Sequence, residues 1–227
     1  MENILSMLIF FPAVAATVGF LIDKDSMRQY GVVVTVVEFV LSLLLWYYFD
    51  TNVAGIQFVQ SMPLISAYGI NYLVGVDGVS LFLIIMITFM TMIALIGLTE
   101  KKDVKNLIIT MLYLEMTMVG VFVSLDVILF YIFWELTLIP MFYIIGFWGA
   151  EKRFYAAIKF FLYTFTGSLV MLIIEPIYYF IIKLIIVFQK RLIKIIMKQV
   201  IIFHYIKQIV LVGIHIDTYK FKFINEF

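Results

Sequence analysis

Six times within residues 1–173 the chain runs on mostly apolar side chains for about 20 residues, and each run is closed off by a polar or charged link. At about 1.5 Å of rise per residue, a helix of this length crosses the roughly 30 Å of hydrocarbon in a bilayer. No single soluble core hides six such runs. The runs are Ile4 to Ile22, Tyr30 to Phe49, Val76 to Leu98, Val104 to Val123, Val127 to Phe147 and Phe154 to Ile173. Composition agrees, with 65% hydrophobic and only 14% charged residues, where soluble domains carry about 25% charged. The predicted fold is an all-α, polytopic membrane bundle of six transmembrane helices. A soluble enzyme is excluded.

Spans four and five are joined only by Ser124, Leu125 and Asp126, so they form a tight antiparallel hairpin. The stretch Thr51 to Gly75 is mixed in polarity and holds Gly55, Pro63, Gly69 and Asn71. It reads as an ordered loop at the interface and not as a seventh crossing.

Orientation follows from the Lys and Arg of the short links. Lys24 and Arg28 follow span one, Lys101, Lys102 and Lys105 follow span three, and Lys152 and Arg153 follow span five, while the links after spans two and four have none. The alternation places the N-terminus outside and these basic links in the cytoplasm. The segment from Ile4 has no basic residue before Lys24, so it is expected to remain as a span and not to be cleaved as a signal peptide.

A charged group near the bilayer centre costs at least about 2.5–3.5 kcal/mol on insertion scales, so each one is a functional candidate. Glu135 in span five is 12 residues from Phe147 and Glu115 in span four is 8 residues from Leu107, which puts both near the midplane. A carboxyl there, between desolvation and any nearby cation, is suited to take up and release a proton. Pro140, five residues beyond Glu135, removes a backbone hydrogen bond to the preceding turn. The alternative is that Glu135, protonated, only makes an interhelical hydrogen bond. Glu115 shares the hairpin and is expected to reach Glu135 through a short water chain. Lys159 in span six lies close enough to the cytoplasmic side to snorkel, and a place in the proton path is the competing reading. Glu38 in span two reads as a packing or tilt feature. Asp77 and Asp126 precede spans three and five as helix caps.

Cysteine is absent, which excludes thiolate chemistry and cysteine-held zinc or iron–sulfur clusters. His204 and His215 are the only histidines and make no haem pair on facing spans. No phosphate loop, nucleophile elbow or nucleic-acid patch is present. No cofactor is expected in this chain, and carboxyls, lysine and water must carry its chemistry.

Three runs carry a family resemblance. They are Gly75-Val-Asp-Gly-Val-Ser-Leu-Phe82, Phe133-Trp-Glu-Leu-Thr-Leu-Ile-Pro-Met-Phe-Tyr-Ile-Ile-Gly-Phe-Trp-Gly149 and Ala156-Ala-Ile-Lys-Phe-Phe-Leu-Tyr-Thr-Phe-Thr-Gly-Ser-Leu169. In this order and spacing they resemble the antiporter-like membrane subunits of proton-translocating NADH-quinone oxidoreductase, most closely chain M (the chain 4 type). Subunits of multisubunit sodium/proton antiporters and membrane-bound hydrogenases share the pattern. The resemblance implies that Glu135 is the essential protonatable glutamate of helix five, that Glu115 matches a helix-four glutamate and that Lys159 matches a helix-six lysine. It implies partner subunits of a membrane arm, with flavin and iron–sulfur clusters in other subunits, in a bacterial cytoplasmic membrane. Family members have fourteen helices in two inverted repeats, and residues 1–173 correspond to six of them. Translocation by this chain alone is therefore not expected. A sodium/proton antiporter subunit and a non-transporting relic or assembly protein remain the alternatives.

Residues 174–227 differ in character. They hold 8 Lys/Arg against 3 Asp/Glu and a single glycine, Gly213, whereas residues 1–173 hold 8 against 12. The segment Gln189 to Gln199 is basic and amphipathic and is suited to an anionic membrane surface. The Ile- and Lys-rich composition also fits a shift of reading frame, so residues 1–173 and 174–227 read as separate regions: an incomplete antiporter-like domain and a divergent tail.

Overall fold

The computed structural model describes residues 3–53, 55–65, 70–98 and 103–181. The chain divides into two units, Met1–Leu172 and Ile173–Phe227, and the helical bundle is built from the first. The basic segment Gln189 to Gln199, both histidines, Lys101, Lys102 and Gly69 lie outside the described residues.

Among the described residues there are six helices: α1 (Ile4–Gly19), α2 (Lys24–Tyr47), α3 (Gly78–Ile96), α4 (Val104–Val123), α5 (Val127–Trp148) and α6 (Arg153–Ile181). Five of them, α2 to α6, are long and apolar enough to cross a membrane, and α1 is a shorter apolar helix of 16 residues. The chain is a multi-pass membrane protein. The bounds of α4 coincide with the apolar run, whereas α2 starts six residues before Tyr30, taking Lys24 and Arg28 into its first turns.

One element departs from an all-α bundle. The stretch read as an interface loop folds into an antiparallel hairpin of β1 (Gln57–Ile65) and β2 (Ile70–Val76). Tyr72, Val74 and Val76 are buried in alternation, which is the strand period of two. The register shifts between Gln57 and Gln60, where Phe58 takes a positive φ of 54°. The α4–α5 link docks on β2, with Leu125 N–H donating to the Leu73 carbonyl at 2.9 Å and Val74 bridging Ser124. Gly75 lets this seam close tightly, since a Cβ there would come within 2.6 Å of the Ile56 side chain and 2.8 Å of the Leu125 side chain, which would have to shift.

Helix α4 runs through the middle, buried along most of its length and packed on α1, α2, α3 and α5. A cluster of Ala15, Ala16, Met27, Val34, Leu95, Ile108 and Leu112 fills one half of the interior. At the α4–α5 seam Gly120 lets the Phe133 ring lie against the α4 backbone, because a Cβ would sit 2.4 Å from that ring.

Charge is sorted by helix end. Asp77 accepts from Ser80 N–H at 2.6 Å at the start of α3, and Asp126 accepts from Ile128 and Leu129 N–H at 2.9 and 3.1 Å at the start of α5. The opposite ends are closed by bases. Lys105 donates to the Phe20 and Ile22 carbonyls beyond α1, Arg28 to Ile96 of α3, and Arg153 to Phe147 of α5. Acids at helix starts and bases at helix ends both favour the macrodipole. Three of the seven basic residues that set the orientation by the loop-charge rule, Lys105, Arg28 and Arg153, therefore also cap α1, α3 and α5.

Candidate proton-handling site

Glu135 stands on the third turn of α5, eight residues after Val127, about 12 Å into the helix. Its carboxylate is half-buried and accepts a short hydrogen bond from the Ser168 hydroxyl of α6. The Tyr131 hydroxyl, one turn earlier, lies close to both Glu135 and Ser168. The Phe165 carbonyl, 2.8 Å away, is the alternative acceptor for the single Ser168 hydroxyl proton. Three oxygen-bearing side chains thus meet where α5 and α6 face each other. Each can donate or accept as the carboxyl changes state.

The other sequence candidates fall elsewhere. Glu115 on α4 is 1% exposed, and neither carboxyl oxygen has a hydrogen-bond partner among the described residues. Glu38 of α2 is 0% exposed and equally without a partner among them. Glu135 instead engages α6. Lys159 is exposed, with its ammonium 5.7 Å from the ring centres of both Tyr155 and Tyr163. These rings lie one turn before and one turn after it on α6, so the lysine is held by cation–π contacts. Ser168 is nine residues further along α6, about 14 Å by helical rise, which separates Lys159 from the Glu135 cluster.

Residues not singled out in the sequence join the site. Tyr131 and Ser168 were legible only as polar positions on apolar helices, since their partner lies across a helix interface. Trp134, the next residue back along α5, stacks on Phe130 with ring centres 6.0 Å apart, and its buried indole N–H has no partner among the described residues. Among the described residues no group of three or more metal-ligating side chains forms.

Comparison with known proteins bears on this arrangement. Residues 124–217 match the family described as NADH:quinone oxidoreductase/Mrp antiporter, TM. NADH-quinone oxidoreductase subunit M of Rhodobacter capsulatus is 42% identical over 181 residues, covering 76% of this chain and 35% of the relative. The chain resembles an antiporter-like membrane subunit. NADH-ubiquinone oxidoreductase chain 4 of Arabidopsis thaliana is 41% identical over 175 residues, covering 74% of this chain and 35% of its own length. A chain of the respiratory complex I of Thermus thermophilus with bound NADH superposes with a TM-score of 0.63 at 26% identity, covering 74% of this chain and 34% of that one. This chain spans about a third of the length of the relatives it matches. The match to the family continues past residue 173, to residue 217.

Proposed function

We propose that the chain is a membrane-arm subunit of a bacterial respiratory NADH-quinone oxidoreductase and contributes to proton translocation in the cytoplasmic membrane. The observation that carries this reading is Glu135. It is an acid about 12 Å inside an apolar helix, half-buried and tied by a hydroxyl pair to the next helix. It stands in the run that most specifically resembles chain M. Protonated, the carboxyl is neutral and donates. Ionised, it accepts from Ser168 and Tyr131, which lowers the cost of the charge. The cluster therefore accommodates both states, as a group that relays a proton must. Glu115 and Lys159 are assigned to the same proton path. Redox chemistry belongs to partner subunits, and the chain meets them through the other subunits of the membrane arm.

The test is recovery and transport together. The chain, tagged in its native membrane, is expected to co-purify with NADH:quinone oxidoreductase activity, and Glu135→Gln is expected to remove most NADH-driven proton translocation while leaving that co-purification intact. Recovery with sodium/proton exchange and no NADH oxidation would select the antiporter reading. Failure to be recovered with any complex would select the relic reading. Orientation is tested separately. A cysteine introduced at exposed Asn52 is expected to react with an impermeant thiol reagent in intact cells, and one at exposed Asp103 is not. The reverse pattern would invert the topology.

A further inference from the structure

Among the five long spans α6 is the least covered, with 11% of its apolar window buried against 33–78% in the others, and its two sides differ in chemistry. One side carries Ala157, Phe161, Thr164 and Ser168, at the four- and three-residue spacing of a single helix face. This side packs on α5. Ala157 and Ser168 are buried, Phe161 meets the Phe142 ring edge-on with ring centres 5.8 Å apart, and Ser168 bonds to Glu135. Tyr155, Lys159, Leu162 and Thr166 each stand two residues before one of those four, about 200° round the helix. All four are exposed, as is Tyr163. The uncovered side of this span is therefore not the plain apolar surface that lipid tails would suit.

Lys159 is six residues after Arg153, the first residue of α6, about 9 Å along the helix. A lysine that faces lipid at such a depth stretches its stem toward the nearer headgroups. The ammonium takes another course here. It lies 5.7 Å from the ring centre of Tyr155, one turn nearer the start of the helix, and 5.7 Å from that of Tyr163, one turn deeper, so it stays at the level of its own turn. The two rings offset part of the cost of the charge, and its outer side remains open. The acids nearest in the chain do not serve it. Glu135 is bound to Ser168 on the opposite side of α6, and Glu151 lies eight residues before Lys159, ahead of the helix.

A cation kept at that level in hydrocarbon is costly, and such a residue ordinarily faces protein and a partner of opposite charge. We propose that the Tyr155–Lys159–Tyr163 face of α6 is a docking surface for a transmembrane helix of a different polypeptide, one that presents an Asp or Glu carboxylate to the Lys159 ammonium. The occupant is a helix because irregular backbone is not stable against lipid. Gly167, next to Thr166 and with open space where a Cβ would stand, lets a second backbone come close. The occupant is acidic because a charge taken out of water is paired. A second copy of this chain does not meet that requirement. Its span acids Glu38 and Glu115 are buried and Glu135 is committed to Ser168, while a face-to-face contact would set Lys159 against Lys159. The surface deepens the membrane-arm reading and rests on it only for naming the partner a neighbouring subunit.

The experiment places a photoreactive benzophenone side chain at Leu162, exposed one turn from Lys159 and outside the Glu135 cluster, in the full chain in its native membrane. Irradiation is expected to give an adduct with a polypeptide of different mass, and the attached peptide is expected to lie in an apolar span with an Asp or Glu within one helical turn of the attachment point. Lys159→Arg is expected to keep the adduct. Lys159→Glu is expected to lower its yield by at least about tenfold, the order set by reversing one partner of a desolvated charge pair. Combining Lys159→Glu with a lysine in place of the partner's acid is expected to restore it. Should Lys159→Glu fail to accumulate in the membrane, Lys159→Met carries the same comparison. No adduct would mean that the face meets lipid and would overturn the proposal. So would an adduct between two copies or within one chain, an attached peptide without an acid, or a yield that Lys159→Glu leaves unchanged. An acid-bearing partner that does not co-purify with NADH:quinone oxidoreductase activity would sink the membrane-arm reading and leave the docking surface standing.

Discussion

Glu135 on the one hand and Glu38 and Glu115 on the other lie at nearly the same height in the bundle, about 12–14 Å from the hairpin end, yet their surroundings differ in kind. Glu135 is half-buried and answered by the Ser168 hydroxyl across the α5–α6 contact. Glu38 and Glu115 are fully buried and have no hydrogen-bond partner among the described residues. The difference arises from the helices. Helix α4 is buried along most of its length, whereas α6 leaves Tyr155, Ile158, Lys159, Leu162 and Tyr163 exposed. An acid on the inner helices is sealed from water and lipid. One on the α5–α6 face sits beside a surface where a proton can arrive. Burial alone therefore does not set the two kinds of acid apart. The hydrogen-bond donors around the carboxyl do.

The largest effect expected is on transport. In the assembled complex, Glu135→Gln should abolish most proton translocation, while Ser168→Ala, which removes a donor but keeps the acid, should slow it without abolishing it. Proton flux into vesicles measures both. Equal loss in the two variants would make the hydroxyl as necessary as the carboxyl and would erase the distinction between partnered and unpartnered acids.

Much of this was legible in the sequence, and the boundary is instructive. The spans were readable because an apolar run of about 20 residues has one low-energy solution in a bilayer. Asp77 and Asp126 were readable as caps because capping is local. The hairpin was missed as a hairpin because polarity was weighed over the whole stretch Thr51 to Gly75, while the alternation of Tyr72, Val74 and Val76 runs over five residues. The surroundings of the acids were not legible, since a helix face says which residues point inward but not which residue of another helix they meet. Glu115 shares a hairpin with Glu135, yet it turns into the interior of α4, where its carboxyl has no hydrogen-bond partner among the described residues. Lys159 is an intermediate case: Tyr155 and Tyr163 stand at i−4 and i+4, a spacing visible in the sequence.

Packing sharpens the comparison next. Gly120→Ala drives a methyl into the Phe133 ring, whose atoms lie 2.4–2.6 Å from the ideal Cβ position. Overpacking of this kind costs about 2 kcal/mol. The expected result is a lower thermal midpoint in detergent together with reduced proton translocation, because α5 carries both Phe133 and Glu135. An unchanged midpoint would show that α5 is loosely held and that its acid is positioned by α6 alone.

The two acidic centres should respond oppositely to an apolar isostere. Glu38→Met replaces an unsatisfied buried polar group with one of similar length, and relief of that burial is worth about 1–2 kcal/mol. The thermal midpoint is expected to rise. Glu135→Met deletes a bonded carboxylate and leaves Tyr131 without that partner, so its midpoint is expected to fall or stay level. A fall in both would mean that Glu38 has donors in the native membrane that its burial conceals.

The smallest effect belongs to the hairpin. Tyr72 lies in β2, outside the spans, and its hydroxyl meets Ser6 of α1 at 3.0 Å, while Ser6 also donates to Gln60 of β1. Burial pushes the Tyr72 hydroxyl above the ordinary tyrosine range, with the Ser6 hydrogen bond opposing the shift in part. A raised folded value means that the neutral form is the one the fold prefers. Its contribution is therefore complete below the ordinary tyrosine pKa of about 10 and is lost as pH rises through the folded value. Tyr72→Phe removes the ionisable group together with one hydrogen bond, at a cost of about 1 kcal/mol at neutral pH. Amide exchange in β1 and β2 should then be faster at neutral pH but should lose its extra acceleration in alkali, once the intrinsic base catalysis measured on an unstructured peptide is subtracted. If the alkaline excess survives the substitution, the hairpin is loosened by another group, and the Ser6–Tyr72 contact does not tie it to α1.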